Sequence, residues 1–264
     1  MWPFLFTTGS PDDDPRRWWL LVVSVVFAAA FIFWERRYAD RGRMPLMPLS
    51  IFSLSSYRNG ILISTAYFSA VPAMFLLGTL FLQGGLGLEP VFAGMVTIGF
   101  AVASAGSSWV GGNLVTRFGR PLVVVGILGM VVTAGALAVV ALTTPAEWTP
   151  WAMAGVMIFG GLAGGLVISP NQTLTLADIP VSSGGVAGSV GQLGQRIGTA
   201  VGTAIALALF YATVYREQDG RDTLVVFHDA YASGLIAVGV FLGLALIVGV
   251  VDLAGRARRG SQTP

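Results

Sequence analysis

The sequence predicts an all-α integral membrane protein of about seven transmembrane helices, and three observations carry that prediction. Only 11% of the 264 residues are charged and 55% are hydrophobic, whereas a soluble domain carries about 25% charged residues. A surface so poor in charge has to face an apolar medium, and the mean hydropathy of +0.77 agrees. Uncharged apolar runs recur along the chain between charge clusters, each near the ~20 residues a helix needs to cross a bilayer. In lipid, unpaired backbone groups are costly, so helix is the expected form. The alternating segments of about 10 residues that mark a membrane β-barrel do not occur.

Taken in order, the first run is 18–34, between Arg17 and Glu35, with Trp18, Trp19 and Trp34 as interfacial belt residues. The second is 60–82, kinked by Pro72. The third is 91–114, the fourth 122–142 and the fifth 148–168. The sixth ends at Arg216 and starts near Gly185, and the seventh is 230–251. Two connections are long: 35–58, with Pro45 and Pro48, and 169–184, with Pro170, Asp178 and Pro180. The chain therefore divides into a tail (1–17), a linker helix (18–34), a connection (35–58), a six-helix block (59–253) and a second tail (254–264).

Composition also excludes chemistry. All fifteen basic residues are Arg, so a retinal Schiff base on Lys is ruled out. Cys is absent, which removes disulfides, thiolate metal sites and cysteine nucleophiles. His228 alone cannot form a histidine metal cluster. No cofactor and no metal site is expected, and a net charge of +2 implies no nucleic-acid partner. The first eight residues are too short and lack the basic flank of a cleavable signal peptide.

Arginine counts set the expected orientation. Arg36, Arg37, Arg41, Arg43 and Arg58 follow the first helix, Arg117 and Arg120 follow the third, and Arg256, Arg258 and Arg259 follow the seventh. That side is expected to be cytoplasmic, in a multi-pass protein of the cell membrane. The N-terminus is then outside and the C-terminus inside. An odd helix number with an acidic external N-terminus is what a cut through a longer chain would leave. No Asp or Glu is expected inside a span. Asp252 reads as a solvated partner of Arg256, and any proton carrier as lying outside this chain.

Between the third and fourth helices the sequence reads Gly112-Asn113-Leu114-Val115-Thr116-Arg117-Phe118-Gly119-Arg120. Glycines permit a tight turn. The two arginines either pair with acids or carbonyls on neighbouring helices, latching a conformation, or serve only as positive-inside anchors. On the sixth helix, Gly194, Gly198 and Gly202 repeat every four residues, and Gly160, Gly161, Gly164 and Gly165 give the fifth a similar face. Such faces let helices approach closely in lipid, either as static packing or as a surface for sliding.

The segment from Gly112 to Arg120 resembles the motif between the second and third helices of each half of major facilitator superfamily transporters, with Thr116 where the N-terminal copy carries an acid. Trp34-Glu35-Arg36-Arg37 with Pro45-Leu46, Phe81-Leu82-Gln83 with Gly94, and Pro170-Asn171 followed by Gln195-Arg196-Ile197-Gly198 resemble the fourteen-helix drug:proton antiporter branch. The resemblance implies the second linker helix followed by a complete C-terminal six-helix block. It further implies export of an amphiphilic small molecule in exchange for protons, with a separately supplied N-terminal half or a second copy as partner besides membrane lipid. The expected substrate cavity is aromatic and polar: Tyr67, Phe68, Gln83, Met157, Asn171, Gln192 and Gln195 are its candidates. Gly112, Arg117, Gly119 and Arg120 are the conformational motif, and Gly194, Gly198 and Gly202 the packing face. Arg196 is expected near water beside Gln192 and Gln195. The alternative from another class is a non-transporting membrane scaffold or accessory subunit, its glycine faces serving partner helices. A membrane enzyme is a distant third, for want of a nucleophile–base pair or phosphate loop.

Overall fold

The computed structural model describes residues 19–41, 49–217 and 220–260. It contains seven long helices among the described residues: α1 (Trp19–Asp40), α2 (Ser55–Leu80), α3 (Pro90–Phe118), α4 (Arg120–Thr143), α5 (Thr149–Leu176), α6 (Gly184–Glu217) and α7 (Thr223–Gly260). A short 3-10 turn, Leu49–Ser53, precedes α2, and a π-turn, Phe81–Gly85, extends it. Helices α2 to α7 are each long and apolar enough to cross a membrane. α1 has a shorter apolar stretch, Val22–Glu35, with Phe27, Phe33 and Trp34 exposed. The protein is an all-α membrane protein.

The helices of the block run antiparallel to their chain neighbours. One end gathers the start of α2, the α3–α4 turn, the α5–α6 connection and the end of α7. The other gathers the α2–α3, α4–α5 and α6–α7 loops. Packing has an internal two-fold logic. α2 packs on α6 and α7, and α5 packs on α3 and α4, so the first helix of each consecutive triplet lies against the second and third of the other. α6–α7, α4–α7 and α2–α5 contacts add to these. Such three-plus-three repeats are a common architecture of transporter halves.

Glycines sit where this packing is tightest. A Cβ on Gly194 would stand 2.8 Å from Thr65 Oγ1, one on Gly198 would meet the Thr65 carbonyl, and one on Gly202 the Ser69 carbonyl. The same holds on the other side of the two-fold. Gly161 faces the Phe100 carbonyl and Gly165 the Ser107 hydroxyl, which donates to the Gly161 carbonyl at 3.1 Å. With no hydrophobic drive between helices in lipid, such close approach is what supplies attraction. Elsewhere the core is aliphatic and aromatic, including Met74, Leu77, Phe81, Met130 and Tyr231.

Several expected boundaries move. The connection expected at 169–184 is largely helix: α5 runs through Pro170 to Leu176, so Asn171 and Thr175 stand on a helix. α7 begins at Thr223 rather than at 230 and continues past 251. The connection 35–58 contains the last turns of α1 and the start of α2. The tails 1–17 and 261–264, Trp18, Pro45, Pro48 and Arg43 lie outside the described residues. The largest correction concerns Asp252. It is not solvated but 3% exposed, inside the span Thr223–Gly255, so the block does hold a buried carboxylate. Glu35 of α1 is buried as well.

Candidate functional site

Two polar features interrupt the apolar interior, and both lie toward the Arg120 end of the bundle. The first begins at the α3–α4 turn. Gly119 has φ 58 and ψ −133, a conformation that side-chain-bearing residues avoid. It reverses the chain in a single residue, so Arg120 is already the first residue of α4. The turn directs Arg120 inward, where it is 2% exposed. Its Nε donates to Asp252 Oδ2 at 2.6 Å and its Nη1 to Asn171 Oδ1 at 2.6 Å. Asn59 Nδ2 donates to the other Asp252 oxygen at 2.7 Å. Asn171 Nδ2 donates to the Gly60 carbonyl at 3.0 Å, and Thr175 Oγ1 to the Asn171 carbonyl at 2.6 Å. One network thus ties α2, α4, α5 and α7. Gly60 is needed because a Cβ there would collide with Thr175.

The second feature is a groove. α5 and α6 touch little, and α2 forms the floor between them. A cavity of about 140 Å³ there is lined by Ser64 of α2, Asn171, Gln172 and Thr175 of α5, and Gln192 and Gln195 of α6. A second opening of about 360 Å³ shares Gln192 and Gln195 and adds Phe68, Arg196, Thr199 and Thr203. Gln195 Nε2 donates to Ser64 Oγ at 3.0 Å, and Thr199 Oγ1 to the Phe68 carbonyl at 3.2 Å. The walls offer amides and hydroxyls around an aromatic ring, the composition of a site for a partly apolar solute. The face is polar on a helix bundle whose perimeter is apolar, with Val102, Trp109, Val125, Ile197 and Ile236 exposed.

Of the cavity candidates read from sequence, Phe68, Asn171, Gln192 and Gln195 come together here, and Asn171 also joins the buried network. Tyr67 borders a sliver of about 10 Å³ beside them. It is buried, and its hydroxyl has no hydrogen-bond partner among the described residues. Gln83 and Met157 do not line the groove. Gln83 sits half-buried in the π-turn at the opposite end, and Met157 is core. Arg196 lies beside Gln192 and Gln195 and is exposed. Within the conformational motif the four residues diverge. Arg120 is buried and paired, Gly119 makes the turn, and Gly112 is half-buried with Ser169 Oγ 3.2 Å from where its Cβ would be. Arg117 is exposed, 5.5 Å from the Phe118 ring centre. Sequence reasoning missed Asn59 and Asp252. It also missed Thr199 and Thr203, although 192, 196, 199 and 203 recur at helical spacing and so mark one polar stripe.

The sequence profile of the Major Facilitator Superfamily matches residues 17–203. Multidrug resistance protein Stp of Mycobacterium tuberculosis (strain CDC 1551 / Oshkosh) is 29% identical over 171 residues, 63% of this chain and 30% of Stp. The provisionally named multidrug resistance protein MdtD of Serratia proteamaculans (strain 568) is 29% identical over 159 residues, 59% of this chain and 31% of MdtD. The MFS-type transporter YvkA of Bacillus subtilis (strain 168), itself uncharacterized, is 26% identical over 154 residues, covering 58% and 34%. The chain thus spans about a third of the length of the curated relatives it matches.

Proposed function

The chain belongs to the major facilitator superfamily, and from that premise we propose that it is the C-terminal half of a proton-coupled exporter of amphiphilic small molecules in the cell membrane. The observation that carries this reading is the polar groove between α5 and α6, floored by α2, on a bundle otherwise apolar at its perimeter. A half-site of this kind is completed by a second six-helix body. Secondary transporters work by rocking two such bodies about a shared site. The partner is a separately supplied N-terminal half or a second copy of the chain, and the names of Stp and MdtD favour a multidrug substrate range. The glycine seam of α6 is already filled by α2, which supports this reading over a scaffold whose seam would await a partner helix.

Proton coupling asks for a titrating group, and Asp252 is the buried carboxylate of the six-helix block among the described residues. The experiment is reconstitution in vesicles with an imposed pH gradient and an amphiphilic dye. Chain 1–264 alone gives no extrusion. Together with the product of an adjacent reading frame that supplies the remaining helices, it extrudes the dye. Extrusion by the chain alone would make a second copy the partner and overturn a separate N-terminal half, and absence of extrusion both from the chain alone and from the pair would overturn the transporter reading.

A further inference from the structure

We propose that the groove selects organic anions: solutes with an apolar body and one carboxylate, sulfonate or similar group, held by Arg196. This rests on the groove being the substrate site. Among the described residues that line it, Arg196 carries the sole formal charge, and every other polar group is a neutral amide or hydroxyl. An arginine stays protonated at any working pH. Its planar fork recognises carboxylate and sulfonate oxygens through paired charge-assisted hydrogen bonds. No carboxylate among the described residues lies within ion-pair distance of it. The buried pair Arg120–Asp252, behind Asn171, is internally balanced and leaves this sign unaltered. A cationic drug would meet an uncompensated positive charge here.

The position of the charge on α6 separates a solute from a lipid headgroup. α6 has three faces. Gly194, Gly198 and Gly202 pack on α2. Leu193, Ile197 and Val201 form an exposed apolar stripe suited to lipid chains. Gln192, Arg196, Thr199 and Thr203 form the polar stripe that lines the groove. Arg196 belongs to the polar stripe, with the Phe68 ring on the same wall for the apolar body.

The test uses the full chain in phosphatidylcholine nanodiscs with two matched fluorescent probes: dansyl-taurine, a sulfonate, and the dansyl derivative of aminoethyl-trimethylammonium, a cation. Fluorescence anisotropy is expected to show the sulfonate binding at least about tenfold tighter, the scale of one strong ionic contact. Arg196→Gln abolishes the preference, and Arg196→Lys restores part of it, because a point charge replaces the fork. Equal binding of both probes, lost in the groove-filling variant Thr199→Trp, overturns anion selection while the groove stands as a solute site. If neither probe binds, the groove reading falls with it. Displacement of the sulfonate by phosphatidylglycerol at low mole fraction in the disc assigns the charge to a lipid and overturns the solute proposal. Persistence of the preference in Arg196→Gln overturns the role of that residue.

Discussion

Arg120 and Asp252, separated by 132 positions in sequence, meet at 2.6 Å with both side chains almost fully enclosed. Enclosure makes the pair costly to break. Two charges taken out of water are compensated by one another and by Asn59 and Asn171. Removing either partner strands the other, at a cost of about 3–5 kcal/mol. Asp252→Asn and Arg120→Gln are each expected to lower thermal stability in detergent sharply. The double variant should lose much less than the sum, read as a double-mutant cycle. Additive losses would mean that the two residues do not depend on each other.

Gly198→Leu should destabilise the protein far more than Ala204→Leu. At Gly198 any side chain meets the Thr65 backbone carbonyl, which cannot rotate away; Ala204 is on another face and only half-buried. Overpacking in a tight interface costs roughly 1–3 kcal/mol. Fluorescence-detected size exclusion after heating checks the order. Equal melting of the two, or the reverse order, would remove α6 from the seam.

Gly119→Ala should cost about 1–3 kcal/mol, because alanine tolerates its backbone angles poorly. Gly135→Ala, in a helix and with open space where the Cβ would go, should be neutral or slightly stabilising. Thermal melts of the pair separate backbone strain at the turn from a general intolerance of glycine replacement in this part of the chain.

Orientation is testable because the native chain has no cysteine. Glu89→Cys and Glu147→Cys, both at exposed loop positions, should react with an impermeant maleimide in intact cells. Ser50→Cys and Arg117→Cys, exposed at the opposite end, should react only after lysis. The expectation follows from the arginine bias of the Arg117 side, and the opposite labelling pattern would invert the protein in the membrane.

Helix number and order were legible because charge clusters interrupt hydropathy wherever the chain leaves the apolar layer. The same signal misjudged helix lengths, since a helix does not stop where lipid does. α7 continues through Asp252, and α5 continues through Pro170, whose missing N–H removes one backbone bond but does not end a span. The glycine face of α6 was legible as a four-residue period, yet its partner, α2, was not, because periodicity names a face and not its neighbour. Asp252 was the main failure. It reads as solvated, whereas it is buried and pairs with an arginine from a turn more than a hundred residues away. Met157 and Gln83 have suitable chemistry for a cavity, but their register on the helix sends one to the core and the other to the far end.

The position of Arg120 as the first residue of α4 also bears on the order in which the protein is made. A positive charge at a helix N-terminus sits against the positive end of the helix dipole, so neither its own helix nor an apolar surround welcomes it. Its counter-charge is on α7, which emerges after α2 to α6 during synthesis. A nascent chain that has inserted α4 but not α7 must keep Arg120 hydrated, with the first turn of α4 held at the membrane surface. Docking of α7 then draws Arg120 under cover, and with it Asn171 of α5 and Asn59 of α2. Assembly of the six-helix block at this end therefore waits for its final helix, and a ribosome stalled before residue 252 leaves a bundle that is inserted but open.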